Sequence, residues 1–285
     1  MKKIIMLALI IISINTNAQI LWKVESSETS AKSYILGTHH LADNSIVESL
    51  NSLPEIMDII DEMYFEVSID SLMSTDGQLL LQKEMMMPNG KFITPYFNID
   101  ETIAINNYLK PIFGGGIALF CHLKPAAIQY SISNLYLQSV SLADKPTIDW
   151  YLETCAHTES IPCKYLETVA EHVKIPFSQN IKDQALELLR YIDIPSDSIM
   201  VAHRTILNAY QNRDFDKINK IMIEDSIEDH YSYIVVNRNM KWANIILSQL
   251  PRKSLLIVVG IGHLCGEKGL INILQNNGYT IEAIE

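Results

Sequence analysis

Two stretches near opposite ends of this sequence share one pattern: Tyr34-Ile35-Leu36-Gly37-Thr38-His39-His40 and Leu256-Ile257-Val258-Val259-Gly260-Ile261-Gly262-His263. Each is a short apolar run, which predicts a buried β-strand, followed by Gly-x-x-His and then by a helical stretch. The glycine allows a sharp turn or the close approach of another group. His40 and His263 therefore emerge where their strands end. If both strands lie in one sheet, the two imidazoles face one cleft, which predicts a metal site or a catalytic site.

The Gly-x-x-His pattern fixes only two positions, so either copy alone carries little information. A histidine in a turn is most often a polar residue of the surface. What favours a functional role for both histidines is the strand–turn–helix context that the two copies share.

The amino terminus has the composition of a secretory signal peptide. Met1-Lys2-Lys3 is basic, the residues from Ile4 to Ile14 are almost wholly apolar, and small or polar residues follow. This apolar run is too short to span a membrane. We expect residues 1–18 to be a signal peptide that is cleaved near Ala18/Gln19, which makes the mature chain periplasmic or secreted. No later segment has about eighteen unbroken apolar residues, so no stable membrane span is predicted.

The chain is acidic, with 22 Lys and Arg against 33 Asp and Glu and a formal net charge of −11. Without Lys2 and Lys3, the expected mature chain has 20 basic and 33 acidic residues, which gives −13. This balance argues against nucleic-acid binding, because phosphate contacts need clustered Lys and Arg. It weakly favours an affinity for cations, although most carboxylates of an acidic chain are simply solvated groups on its surface.

An exported chain has access to disulfide chemistry, and this one has four cysteines. Four cysteines permit three full pairings, and the sequence does not choose among them. Their spacing does not resemble a structural zinc site. The cysteines concerned are Cys121, Cys155, Cys163 and Cys265.

Two further predicted strands each bring a carboxylate to their end. The strand Met63-Tyr64-Phe65-Glu66-Val67 completes a strand–helix–strand unit with the first motif, so Glu66 should lie beside that motif at the same sheet edge. The segment from Pro162 to Thr168 repeats this arrangement with Glu167. For Glu66, the alternative is an outward-facing position on a half-exposed strand.

Between about residues 69 and 233 the apolar spacing is mostly helical, and no low-complexity linker separates this middle region from the rest. We therefore predict an α+β fold. Its central mixed β-sheet is built from the two strand–Gly-x-x-His–helix repeats, and the helical middle insert caps a cleft. Residues 19–285 should form a single domain.

A polar pair precedes the second motif on an amphipathic helix. Arg238 is either a surface charge or a fixed cation of the cleft, and Asn239 is mildly unfavourable within a helix, which hints at a specific role. Other catalytic signatures are missing, since the sequence has no Gly-x-Ser-x-Gly elbow, no His-Glu-x-x-His helix and no Gly-rich phosphate loop.

Several short motifs of this chain occur in a known order that covers nearly the whole expected mature chain. They are Ile35-Leu36-Gly37-Thr38-His39-His40-Leu41, Phe65-Glu66, Leu123-Lys124-Pro125, Ile148-Asp149, Leu166-Glu167-Thr168, Arg238-Asn239 with Trp242, Val259-Gly260-Ile261-Gly262-His263-Leu264, Gly269-Leu270 and Gly278-Tyr279. In this set the chain resembles the TraB/GumN family, which includes the Tiki-type metalloproteases that cleave Wnt amino termini. Each motif is weak alone, but the ordered set is fairly specific.

The resemblance implies hydrolysis that depends on a divalent metal ion, with Mn²⁺ or Co²⁺ favoured and Zn²⁺ as an alternative. By position, His40 and His263 would be the histidines at the metal. Glu66 would be a metal ligand or the base that activates water. The implied substrate is a peptide or a small ester or amide.

The resemblance also implies supporting catalytic roles for Glu167, Arg238 and Asn239 in the cleft. Where this chain has Glu171-His172, the family commonly has Gln. The alternative function is a non-catalytic protein of the same fold that binds a metal, haem or a peptide. The joint presence of the polar cleft residues favours the hydrolase, because a pure binding protein has less use for them.

Overall fold

A computed structural model describes residues 19–27, 31–140, 146–224 and 232–285. The expected signal peptide, residues 1–18, lies outside the described residues. Within the described ranges, no helix combines the length and the apolar character that crossing a membrane requires.

A six-stranded mixed sheet forms the centre of the molecule, in the order β4-β3-β5-β2-β1-β6. The strands β4, β3, β5 and β2 run parallel, whereas β1 pairs antiparallel with both β2 and β6. Helices pack around the sheet, so the predicted α+β fold with a central mixed sheet is confirmed. The strands are β1 (Leu21–Glu25), β2 (Ser33–Thr38), β3 (Glu62–Phe65), β4 (Cys163–Tyr165), β5 (Leu255–Gly260) and β6 (Thr280–Ala283).

The two motif strands are direct neighbours in the middle of this sheet. β2 and β5 pair in parallel, with Gly37 opposite Val259 and Thr38 opposite Gly260, and every residue of both strands is buried. Parallel neighbours end at the same edge of a sheet. This register therefore brings both Gly-x-x-His segments to one place.

The helices connect and cover these strands. The first helix, Ser45–Glu48, is a single turn, and the next helix begins at Leu53 with Pro54 in its first turn, a position that proline favours. The helices are α1 (Ser45–Glu48), α2 (Leu53–Ile59), α3 (Ile69–Met73), α4 (Thr75–Met85), α5 (Ile99–Phe113), α6 (Pro125–Val140), α7 (Ile148–Thr158), α8 (Val169–Lys174), α9 (Ile181–Ile192), α10 (Ser196–Gln211), α11 (Phe215–Glu224), α12 (Asn237–Gln249) and α13 (Leu270–Asn276).

The described residues form two separate hydrophobic clusters. The larger surrounds the sheet and includes buried side chains from α7, α10 and α12, such as Leu152, Tyr210 and Trp242. The smaller lies within the helical middle, where α5, α6 and α9 contribute Ile105, Ile132 and Leu188, among others. The helical middle therefore has a core of its own. It also contributes β4 to the sheet, and α7 packs in the core around the sheet.

No disulfide joins the cysteines of the described ranges.

Candidate functional site

The two Gly-x-x-His segments need their first glycines for different reasons. A Cβ atom on Gly37 would clash with the Ile261 side chain, so this glycine allows the two segments to pack together. Gly260 has a φ of −54°, which any residue adopts, and so its backbone does not require glycine. A Cβ atom there would lie 3.2 Å from Glu66 Oε1 and 3.8 Å from both His40 Nε2 and His263 Cδ2. The missing side chain thus leaves an opening, which we call the Gly260 opening, between Glu66 and the two motif histidines.

Two carboxylates lie side by side because the pairing of β3 with β4 continues past the strand ends. Leu166 N donates to Phe65 O, and Glu167 N donates to Glu66 O, both at 2.9 Å. Glu66 and Glu167 are 8% and 6% exposed, respectively. Buried carboxylates are costly unless a cation or several hydrogen-bond donors compensate them.

Arg238, in the first turn of α12, is the cation that compensates both. Its Nη2 donates to Glu66 Oε2 at 2.6 Å and to Glu167 Oε1 at 2.7 Å, and its Nε donates to Glu167 Oε2 at 3.1 Å. The guanidinium also stacks on Trp242, with Cζ 4.4 Å from the ring centroid. Arg238 is therefore a fixed cation of the cleft and not a surface charge.

Asn239 fixes the ring of His263. Its Nδ2 donates to the carbonyl oxygens of His263 and Lys268, so its Oδ1 is the atom that accepts from His263 Nδ1, at 2.7 Å. His263 Nε2 then has a lone pair, which accepts from Arg238 Nη1 at 3.0 Å. Burial lowers the pKa of His263 to about 4, in keeping with a neutral ring.

His40 has a more open environment than His263. Its side chain is 73% exposed, and its Nδ1 lies 3.4 Å from Asp149 Oδ2. The nearby Asp149 carboxylate raises the pKa of His40. The two motif histidines thus border the same opening, one from the protein interior and one from the solvent side.

Glu66 is held as a carboxylate. Burial alone would raise its pKa, but the interactions with His263, Arg238 and His40 outweigh burial and lower it to about 2. Glu66 Oε1 also accepts a hydrogen bond from Gly260 N at 2.7 Å. This oxygen therefore stays ionised at the edge of the Gly260 opening.

Sequence reasoning did not select His172, which the structure places in this cluster. His172 Nδ1 lies 2.6 Å from Glu167 Oε1. Thr168 and Glu171 form a capping box that fixes the start of α8, and its first turn brings His172 back over Glu167. The sequence does contain a histidine shortly after Leu166-Glu167-Thr168, at a place where the family commonly has Gln. That difference from the family does not by itself indicate a functional role.

The cluster has the donors that a divalent cation needs. In the described ranges, Glu66, Glu167 and His172 form a group whose ligand atoms lie within 4.8 Å of one another. Glu66 Oε1 and His263 Nε2 are 3.8 Å apart, and the Gly260 opening adds His40 Nε2. Carboxylate oxygens and imidazole nitrogens suit Mn²⁺, Co²⁺ and Zn²⁺. The residues therefore fit such an ion.

Of these two candidate ligand sets, the one at the Gly260 opening has the freer donors. Arg238 already binds both oxygens of Glu167, and such a bidentate pair is a strong interaction. At the opening, the Gly260 N–H is the one hydrogen-bond partner of Glu66 Oε1 among the described residues, and an ion at His263 Nε2 would displace Arg238 Nη1.

Paired Gly-x-x-His segments at the ends of parallel strands, beside a buried Arg–carboxylate cluster, define the structural class of this protein. The sequence matches the TraB/PrgY/gumN family over residues 20–283, and the chain belongs to that family. It is also similar to a protein named Metalloprotease TIKI homolog from Amphimedon queenslandica. The two are 20% identical over an alignment of 324 positions, which covers 94% of this chain and 62% of that protein. The chain thus spans less than two thirds of this relative's length. No solved structure matches the present chain.

Proposed function

We propose that this protein is an exported hydrolase that depends on a divalent metal ion and cleaves peptide bonds, with small esters or amides as the alternative substrates. The observation that carries the proposal is the Gly260 opening, where Glu66, His40 and His263 face one space. The similarity to a protein named as a metalloprotease supports the same reaction class.

The proposed ligands are Glu66 Oε1 and the Nε2 atoms of His40 and His263. A divalent ion held there would polarise the substrate carbonyl and lower the pKa of a water molecule to near neutrality. Mn²⁺ and Co²⁺ are the favoured ions, with Zn²⁺ as the alternative. Cations are favoured in general, because Glu66, Glu167 and Asp149 outnumber the one guanidinium of the cluster, Arg238.

The other residues of the cluster have roles that follow from their contacts. Glu167 and His172 share a hydrogen bond of 2.6 Å, and this pair would take up the proton of the attacking water and return it to the leaving group. Arg238 would stabilise negative charge on the substrate oxygen, since a fixed guanidinium in a partly desolvated cleft does this well. Asn239 would keep His263 Nε2 directed at the opening.

Removal of either motif histidine should abolish metal-dependent cleavage while leaving the fold intact. We expect His40→Ala and His263→Ala to lower turnover on the order of 1000-fold, because the ion contributes several kcal/mol to transition-state stabilisation. The measurement is cleavage of a mixed peptide library by chelator-treated protein that is reloaded with Mn²⁺, Co²⁺ or Zn²⁺.

The matched control is His157→Ala, since His157 is an exposed histidine outside the cleft that also faces an aspartate, Asp70. Full activity in either motif variant would contradict the proposed ligand set. His172→Ala distinguishes the two candidate ligand sets. If the bound ion is lost in His172→Ala but not in His40→Ala or His263→Ala, the ligands are Glu66, Glu167 and His172. Stoichiometric ion binding without turnover in the unaltered protein would favour the binding protein instead.

A further inference from the structure

Asp149 is a buried carboxylate to which the proposed mechanism gives no role. It lies in the first turn of α7 and is 9% exposed. Thr38, the residue that follows the first-motif glycine, donates from Oγ1 to Asp149 Oδ1 at 2.8 Å. The second oxygen, Oδ2, is buried without a hydrogen-bond partner within the described ranges, and His40 Nδ1 lies 3.4 Å from it. The Asp149 side chain therefore links the end of β2 to the start of α7.

The pair of Asp149 and His40 fixes which nitrogen of His40 carries the proton. A carboxylate only accepts hydrogen bonds, so His40 Nδ1 must be the protonated nitrogen when the ring faces Oδ2. In the neutral ring, the other nitrogen, Nε2, then has the free lone pair. It is also the atom that borders the Gly260 opening.

The same arrangement holds His263 on the other side of the opening. There the Asn239 side-chain oxygen accepts from Nδ1, and Nε2 faces the cleft. The two motif histidines are thus oriented alike, by acceptors that come from two different helices, α7 and α12. Such partners of metal-binding histidines set the tautomer and the ring orientation.

We infer that Asp149 is the positioning residue of His40: it holds the ring through Nδ1, is itself fixed by Thr38, and directs Nε2 into the Gly260 opening. The consequence for ion binding rests on the proposed function, whereas the tautomer of His40 does not. Because His40 is largely exposed, its ring would otherwise turn freely. Loss of a partner of this kind costs roughly 10- to 100-fold in metal affinity or activity.

The test is the ¹⁵N NMR spectrum of the histidine side chains in metal-free protein, at a pH at which His40 is neutral. The unaltered protein should have His40 as the Nδ1–H tautomer. Asp149→Leu, which has a similar size but no hydrogen-bond acceptor, should shift the population toward Nε2–H, and Thr38→Val should do so more weakly. Asp70→Leu is the matched control, because Asp70 Oδ2 faces His157 Nδ1 at 3.8 Å on the surface.

The affinity of the same variants for Co²⁺ provides the second readout. Asp149→Leu should bind Co²⁺ roughly 10- to 100-fold more weakly, and Asp70→Leu should be unchanged. An unchanged His40 tautomer in Asp149→Leu would overturn the inference, even if the variant were less stable. The two ideas fail separately: a protein that neither binds Co²⁺ nor cleaves peptides, yet has the expected tautomers, would refute the proposed function and leave the role of Asp149 standing.

Discussion

Replacing Gly260 with alanine should lower metal-dependent hydrolysis by up to about 100-fold, because the added methyl group would press on Glu66 Oε1 in the space between the proposed ligands, and misplaced catalytic groups have effects of up to this size. The added Cβ would stand 3.2 Å from Glu66 Oε1, in the space that the two motif histidines border. The backbone at Gly260 tolerates alanine, since its φ is −54°. We therefore expect a nearly unchanged melting temperature. The measurements are initial rates on the preferred peptide and the affinity for Mn²⁺ or Co²⁺.

Gly262→Ala is the matched control from the same motif. A Cβ atom at Gly262 would meet only the flexible end of Met222, with Cε at 3.0 Å and Sδ at 4.0 Å, and none of the cluster residues. This variant should retain most of its activity. Equal losses of activity in both variants would contradict the proposed role of the Gly260 opening, as would full activity in Gly260→Ala.

Arg238→Met should lower the free energy of unfolding by about 3–5 kcal/mol, the usual effect of removing one partner from a buried ion pair. The guanidinium is the shared cation of Glu66 and Glu167, and its side chain is only 12% exposed. Without it, two adjacent buried carboxylates lose their counter-charge. Urea denaturation of the metal-free protein measures the loss.

The same variant tests the cluster as a cation site. Mn²⁺ or Co²⁺ should restore part of the lost stability, because a bound ion supplies the missing positive charge and stabilises the folded state that binds it. Arg204→Met is the control, since Arg204 is an exposed residue of α10. A loss below about 1 kcal/mol in Arg238→Met, the range of exposed ion pairs, would mean that the cluster is more hydrated than its burial indicates.

The sequence allowed prediction of those parts of the site that come from strand ends. Two apolar runs with one shared pattern predicted that β2 and β5 would present their motifs together, and a strand–helix–strand unit placed Glu66 beside them. Side chains at the ends of parallel strands are predictable because topology alone brings them to one edge of the sheet.

The helical partners could not be predicted in the same way. Asp149 stands within a motif that the resemblance had identified, but its contact with His40 depends on how α7 packs against β2, which no local pattern encodes. His172 depends on one turn of α8, whose position follows from a capping box. β4 is also shorter than the strand predicted in the segment from Pro162 to Thr168, and Glu167 lies two residues beyond its end.

The separate core of the helical middle bears on how this family diversifies. The cluster formed by α5, α6 and α9 does not share its buried side chains with the core around the sheet. Substitutions in those helices should therefore change mainly the packing among the helices themselves, since core packing energies are local. Protein engineering could therefore change this helical region while keeping the sheet edge that carries the two Gly-x-x-His segments.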